Sequence, residues 1–219
     1  MCGRFTVLTK EELADVVDSI RRRRAPALLI RESDGGQLFE RFQARPGSEV
    51  NAITNEAGEA AVRQFIWGFA VPWSAKPVIN TRLESALSGS KLWESPLRDG
   101  RCILPAATFF ETQTSQMPDA PESKRTAKRS YEFSQPDGLP LLIAGVQEAG
   151  RVSVVTTQPN ATVAPIHPRM PLFLSFQEAP LWLAGKTADL ASLADRSAIL
   201  LAKTPEYPRQ SNPDQLSLF

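Results

Sequence analysis

Cysteine and histidine are almost missing from this sequence: 219 residues hold two cysteines, Cys2 and Cys102, and one histidine, His167. Two cysteines build no disulfide framework, and nothing here has the spacing of a paired-cysteine zinc site. No metal or cofactor is expected. A surplus of one charge is also missing, with 25 Lys+Arg against 24 Asp+Glu and a net charge of +1. The chain is therefore not coated in phosphate-binding charge, and a nucleic acid would have to be held in a local cleft by a few placed arginines. No apolar run approaches the length of a membrane span, and the first residues turn polar by Thr9 without the apolar core of a secretory signal. These absences predict a soluble, reducing, cytoplasmic setting and no membrane partner; a monomer is expected.

Proline is abundant, at 18 residues, and predicts many loops and short elements. The hydrophobic fraction of 42% and charged fraction of 22% are those of an ordinary globular chain, long enough to bury a real core. Thr9 to Arg24 reads as a helix. Thr9 and Glu12 have capping-box spacing, and Leu13, Val16, Val17 and Ile20 make one apolar face. Its four terminal arginines read as a solvated helix end. Arg82 to Trp93 also reads as helical. Arg101 to Glu111 reads as a buried strand, residues 112–130 as a mobile hairpin loop, and Ser130–Phe133, Pro140–Gln147 and Val152–Thr157 as strands. Ser175 to Ala184 reads as a helix with a Ser175/Glu178 capping box, against which Pro180 is a conflict. Many short strands with a few helices predict an α+β fold: a compact mixed or antiparallel β-sheet with a barrel-like core and peripheral helices. Residues 1–203 are expected to form the catalytic domain and 204–219 a flexible tail.

Cys2 follows Met1 and precedes Gly3. A small second residue favours removal of the initiator Met, which would leave an α-amine and a thiol on adjacent carbons. With ordinary pKa values near 8 and 8.5, both have usable unprotonated fractions at neutral pH. The amine condenses with an aldehyde to a Schiff base, and the thiol can then close a five-membered thiazolidine on the same carbon. The plainer alternative is a small buried hydrophobe at the start of a strand. Cys102, in Arg-Cys-Ile-Leu, reads as core.

Several segments stand out together. They are Met1-Cys-Gly-Arg-Phe, Phe65-Ile-Trp-Gly-Phe-Ala, Pro72-Trp73, and Ile79-Asn80-Thr-Arg82-Leu-Glu84. Arg101-Cys-Ile-Leu-Pro through Phe110-Glu111 follows, then Val154-Val-Thr156-Thr and Ile166-His167-Pro-Arg169-Met-Pro171. In sequence and in order they resemble the SOS response-associated peptidase (SRAP) family, the abasic-site processing proteins. The resemblance implies a protein that crosslinks covalently to abasic sites in single-stranded DNA through Cys2, with weak lyase activity and possible self-removal of Met1. It implies catalytic roles for Cys2, Glu111 and His167, with Glu111 serving the Cys2 amine and His167 shuttling protons. Gln43 and Asn80 would support the site. Arg4, Pro46, Trp73, Asn80, Arg82, Thr156 and Arg169 would meet the DNA, Trp73 by stacking on a base. Two positions depart from the family. Its Asn-x-Ala-Pro-Gly is here Gln43-Ala44-Arg45-Pro46-Gly47, and its frequent tandem tryptophan is Trp73-Ser74.

The last five residues, Gln215-Leu216-Ser217-Leu218-Phe219, look like the bacterial sliding-clamp-binding pentapeptide. An extended tail of this kind delivers Leu218 and Phe219 to an apolar pocket on the clamp. It points to a bacterial source and to work at replication forks. Two other functions fit parts of the sequence. An N-terminal-nucleophile amidohydrolase would use the Cys2 thiol on an amide, though no Gly-His-Thr-Arg-like segment is present. A non-enzymatic, clamp-associated single-strand-binding module would use Cys2 only structurally.

Overall fold

The computed structural model describes residues 2–22, 41–114 and 128–206. Its centre is a ring of five strands: β3 (Glu49–Glu56), β4 (Glu59–Trp67), β8 (Arg101–Thr114), β10 (Leu141–Glu148) and β11 (Arg151–Thr157). β3 pairs with β4, β4 with β11, β11 with β10, β10 with β8 and β8 with β3, so the circuit closes. All these pairings are antiparallel except β4 with β11. Closure removes the exposed edges of an open sheet. Ile53, Ile103, Leu104, Ile143, Val152 and Val154 are fully buried, each worth about 1.5–3 kcal/mol of transfer free energy. The expected α+β class with a barrel-like core is the class observed.

β8 connects core to site. Its first half, Arg101 to Ala106, pairs with β10, while its other edge passes from β3 at Ile103 to β1 (Phe5–Val7) at Ala106. Pro105 falls in that interval between neighbours, where a proline within a sheet is tolerated. The second half leaves the ring and pairs with β9 (Lys128–Ser134), carrying Glu111. Phe109 stacks on Phe133 at 4.7 Å and tilts against Phe173 at 5.2 Å, which fixes this extension. β1 lies beside it, also paired with β2 (Gln43–Ala44).

The local signals explain the helices. α1 spans Lys10–Arg22. The Thr9 backbone N–H donates to Glu12 at 2.9 Å, and the Glu12 N–H donates to Thr9 Oγ1 at 3.3 Å. The helix expected over Arg82–Trp93 is two helices, α2 (Leu83–Leu87) and α3 (Lys91–Asp99). Gly89, at φ +86°, interrupts them. The Ser175/Glu178 box forms in both directions, and α4 (Ala179–Ala184) starts one residue later. Pro180 thereby falls in the first turn, where its missing N–H costs nothing. A 3-10 helix follows at Thr187–Leu193. Residues 204–206, assigned from the sequence to the tail, lie in a strand, β14 (Ala202–Glu206), paired with β9. No helix among the described residues is long and apolar enough to cross a membrane.

Candidate active site

The hydrogen-bonded frame converges on the chain start. β7 (Asn80–Arg82) runs parallel to β11, with Asn80 opposite Val154 and Arg82 opposite Thr156. Trp67, fully buried against Phe5, donates its indole N–H to the Ile79 carbonyl at 3.0 Å, which sets the backbone just before Asn80. Asn80 Nδ2 then donates to the Cys2 carbonyl at 3.0 Å. Asn80 Oδ1 is buried, with no hydrogen-bond partner among the described residues. Arg4 completes the anchoring of this segment: its carbonyl accepts from Phe110 N–H at 3.0 Å, one residue before Glu111.

Glu111 is 4% exposed, and its Oε1 lies 4.0 Å from His167 Nδ1. Burial pushes its carboxyl above the usual range, partly opposed by the charged amino terminus and by the neighbouring His167. The His167 ring is held by its own turn. Nδ1 sits 3.0 Å from the Arg169 backbone N and 2.9 Å from the Arg169 carbonyl oxygen. Cys2, Asn80, Glu111 and His167 thus come together from four separate stretches of sequence. Among the described residues, no group of three or more His, Cys, Asp or Glu side chains could hold a metal ion.

The thiol differs from the simple expectation. Cys2 is fully buried, and burial, reinforced by the Glu111 charge, pushes the thiol up to about 12. The adjacent-nucleophile picture with an ordinary thiol near 8.5 does not describe this pocket. Cys102 is fully buried in the core, as expected.

The residues expected to meet DNA divide into two sets. Trp73 is 69% exposed in the turn between β5 (Phe69–Val71) and β6 (Ser74–Val78), and Arg82 and Pro46 are also exposed. Gly68 makes that hairpin possible. It has φ +117°, and a Cβ there would lie 2.7 Å from Pro77 Cβ. The other set is already engaged. Thr156 is buried and donates to the Thr81 carbonyl at 3.3 Å. Arg169, 9% exposed, forms a two-pronged pair with Glu84 at 2.6 and 2.9 Å. Arg4 lies over the Phe110 ring at 4.0 Å, bonds Ser130 Oγ at 2.9 Å and Gln43 Oε1 at 3.1 Å, and grips both Glu206 carboxylate oxygens. Gln43 therefore meets Arg4. Nothing in the sequence pointed to Glu206, Ser130 or the Glu84 pairing, because no local spacing encodes them. The clamp-like residues Gln215, Leu216, Ser217, Leu218 and Phe219 lie outside the described residues.

A family model described as SOS response associated peptidase (SRAP) matches residues 1–206. The chain belongs to this family. It is 25% identical over 237 residues to the abasic site processing protein YoqW of Bacillus subtilis, covering 98% of each chain. To the abasic site processing protein YedK of Escherichia coli it is 25% identical over 193 residues, covering 84% of this SRAP chain and 79% of the relative. In fold it resembles the crystal structure of a phage-related protein of Bordetella bronchiseptica, with a TM-score of 0.67, 22% identity, and 94% and 95% of the two chains covered.

Proposed function

We propose that this SRAP protein processes abasic sites in single-stranded DNA by forming a covalent crosslink at Cys2 once Met1 is removed. The observation that carries the reading is the convergence of Cys2, Asn80, Glu111 and His167 in one pocket. Removal of Met1, by the protein itself or by the cell's aminopeptidase, frees the α-amine. The unprotonated amine attacks C1 of the ring-opened sugar, forming a C–N bond. After proton transfer from nitrogen, protonation of the carbinolamine hydroxyl and loss of water give an iminium ion. The Cys2 sulfur then adds to that carbon, the thiol proton leaves, and the nitrogen becomes a neutral amine within a thiazolidine.

The electrostatics favour this order. A thiol held near 12 is a poor first nucleophile at neutral pH. The iminium places a positive charge beside it, lowering the cost of the thiolate. Glu111, with its affinity for protons raised by burial, suits the acceptor role for the amine and thiol protons in turn. His167 supplies the second proton-transfer group, for sugar ring opening and for reversal. Asn80 holds the Cys2 carbonyl, and its Oδ1, without a hydrogen-bond partner among the described residues, is an acceptor for a sugar hydroxyl. The same iminium permits weak β-elimination.

Arg82 and Trp73 are the exposed groups for backbone charge and base stacking, with Pro46 on the neighbouring turn. Thr156 and Arg169 support the site from within. Gln43 acts through Arg4. The tail's Gln215–Phe219 segment is assigned to a bacterial sliding clamp. Work at the replication fork, in the cytoplasm, follows from that assignment.

The test is a denaturing gel after mixing processed protein with an abasic single-stranded oligonucleotide. A shifted band stable to heat supports the reading. No band, together with glutamine hydrolysis, would favour the amidohydrolase alternative. Single-strand binding without a band would leave the non-enzymatic module.

A further inference from the structure

The buried Arg169 serves His167 from two directions. Its backbone N and carbonyl oxygen lie 3.0 and 2.9 Å from His167 Nδ1, so the orientation of Arg169 helps to set the ring. Its guanidinium is clamped from the other side. Nη1 and Nη2 donate to the two Glu84 oxygens at 2.6 and 2.9 Å, and Nη2 also donates to the Thr156 carbonyl at 2.8 Å. Thr156 is in turn tied to the Thr81 carbonyl on β7. Thr81 and Thr156 belong to the parallel pairing that also places Asn80. One network therefore links the strand that holds Cys2 to the turn that holds His167.

Two-pronged geometry fixes direction as well as distance, which a single contact does not. The Glu84 side chain is 55% exposed while that of Arg169 is 10% exposed. The carboxylate reaches in from solvent to seat a buried cation. A buried charge without its partner is costly, so loss of Glu84 would move Arg169 outward and its backbone with it.

We infer that Glu84 is a positioning residue: through Arg169 it fixes the orientation of the His167 ring beside Glu111. This rests on the reading of His167 as a proton-transfer group, and the test separates the two. His167 is the only histidine, so its ring nitrogens give unambiguous NMR signals with no DNA present. In wild type they should report one dominant tautomer. In Glu84→Gln, which keeps the side-chain shape, they should move toward an averaged mixture. Arg169→Lys, which keeps the charge and loses the fork, should do the same. Ring nitrogen shifts unchanged in both folded variants would overturn the inference.

Crosslinking kinetics add the functional readout. Glu84→Gln should slow single-turnover crosslinking about tenfold. Added to His167→Gln, it should slow the reaction no further, because both changes act through one group. Effects that multiply in the double variant would overturn the positioning role. Wild-type crosslinking by His167→Gln would overturn the reading of His167 itself, and the NMR comparison would still decide whether Glu84 sets the ring.

Discussion

The side chain of Asn80 donates to the backbone carbonyl of Cys2 at 3.0 Å, across 78 positions of sequence. The chain start is thus held by a group on β7, itself anchored to the ring of strands. Asn80→Ala should leave the fold intact, at a cost of about 1 kcal/mol. It should slow single-turnover crosslinking by about tenfold, equivalent to 1.4 kcal/mol of barrier. Quenched reactions on denaturing gels measure this. An unchanged rate would mean that Cys2 needs no such anchor.

Glu111 combines function with a cost to stability. Burial raises its carboxyl above the ordinary 4.5, so the folded protein holds this proton more tightly than the unfolded chain. Its favourable contribution is present below about pH 4.5 and is lost as the pH climbs through the raised value. Glutamine has no such dependence. The melting temperature of Glu111→Gln minus that of wild type should therefore increase from acid toward neutral pH. Crosslinking should fall about 10²–10⁴-fold. Parallel melting curves across that range would contradict the burial argument.

With Met1 still in place, both thiols should be sluggish in the native protein. With Cys2 held near 12, roughly one molecule in 10⁴ carries a thiolate at about pH 8. A chromogenic disulfide reagent should react slowly with folded protein and rapidly with both cysteines after denaturation. Fast reaction of one native thiol would show that Cys2 is not sealed.

Arg4 is gripped by Glu206, and a DNA phosphate reaching Arg4 would have to compete for the same donors. The Glu206 carboxyl is held below its usual range by its bonds to Arg4. Glu206→Gln should tighten binding of an undamaged single-stranded oligonucleotide several-fold at low salt, as followed by fluorescence anisotropy. Weaker binding would mean that Glu206 orients Arg4 for DNA and does not compete with it.

Much of this was legible in the sequence where the signal is local. The Thr9/Glu12 cap, the apolar face of α1 and the long strand ending at Glu111 each follow from spacing within a few residues. The family pattern named the four residues that meet in the pocket. It also placed Arg4, Thr156 and Arg169 on the DNA, and the fold gives each of them a partner within the chain that the pattern does not name. Arg4 meets Glu206 across 202 positions, and Arg169 meets Glu84 across 85. No periodicity encodes such a pair, because the barrel brings its ends together only after closure. The raised thiol of Cys2 was equally hidden, since burial depends on everything packed around it.

If Cys2 provides both atoms of the linkage, peptide mass spectrometry of the adduct will show it. Processed wild-type protein is incubated with abasic single-stranded DNA, without reductant, then digested with nuclease and protease. The expected product is a sugar remnant on the Cys2 peptide, with mass lower by one water than the sum of the two reactants and no free thiol. Cys2→Ser should yield an adduct only when borohydride traps the imine. A reductant-independent adduct on another residue, or an equally stable one from Cys2→Ser, would mean that Cys2 does not supply both atoms.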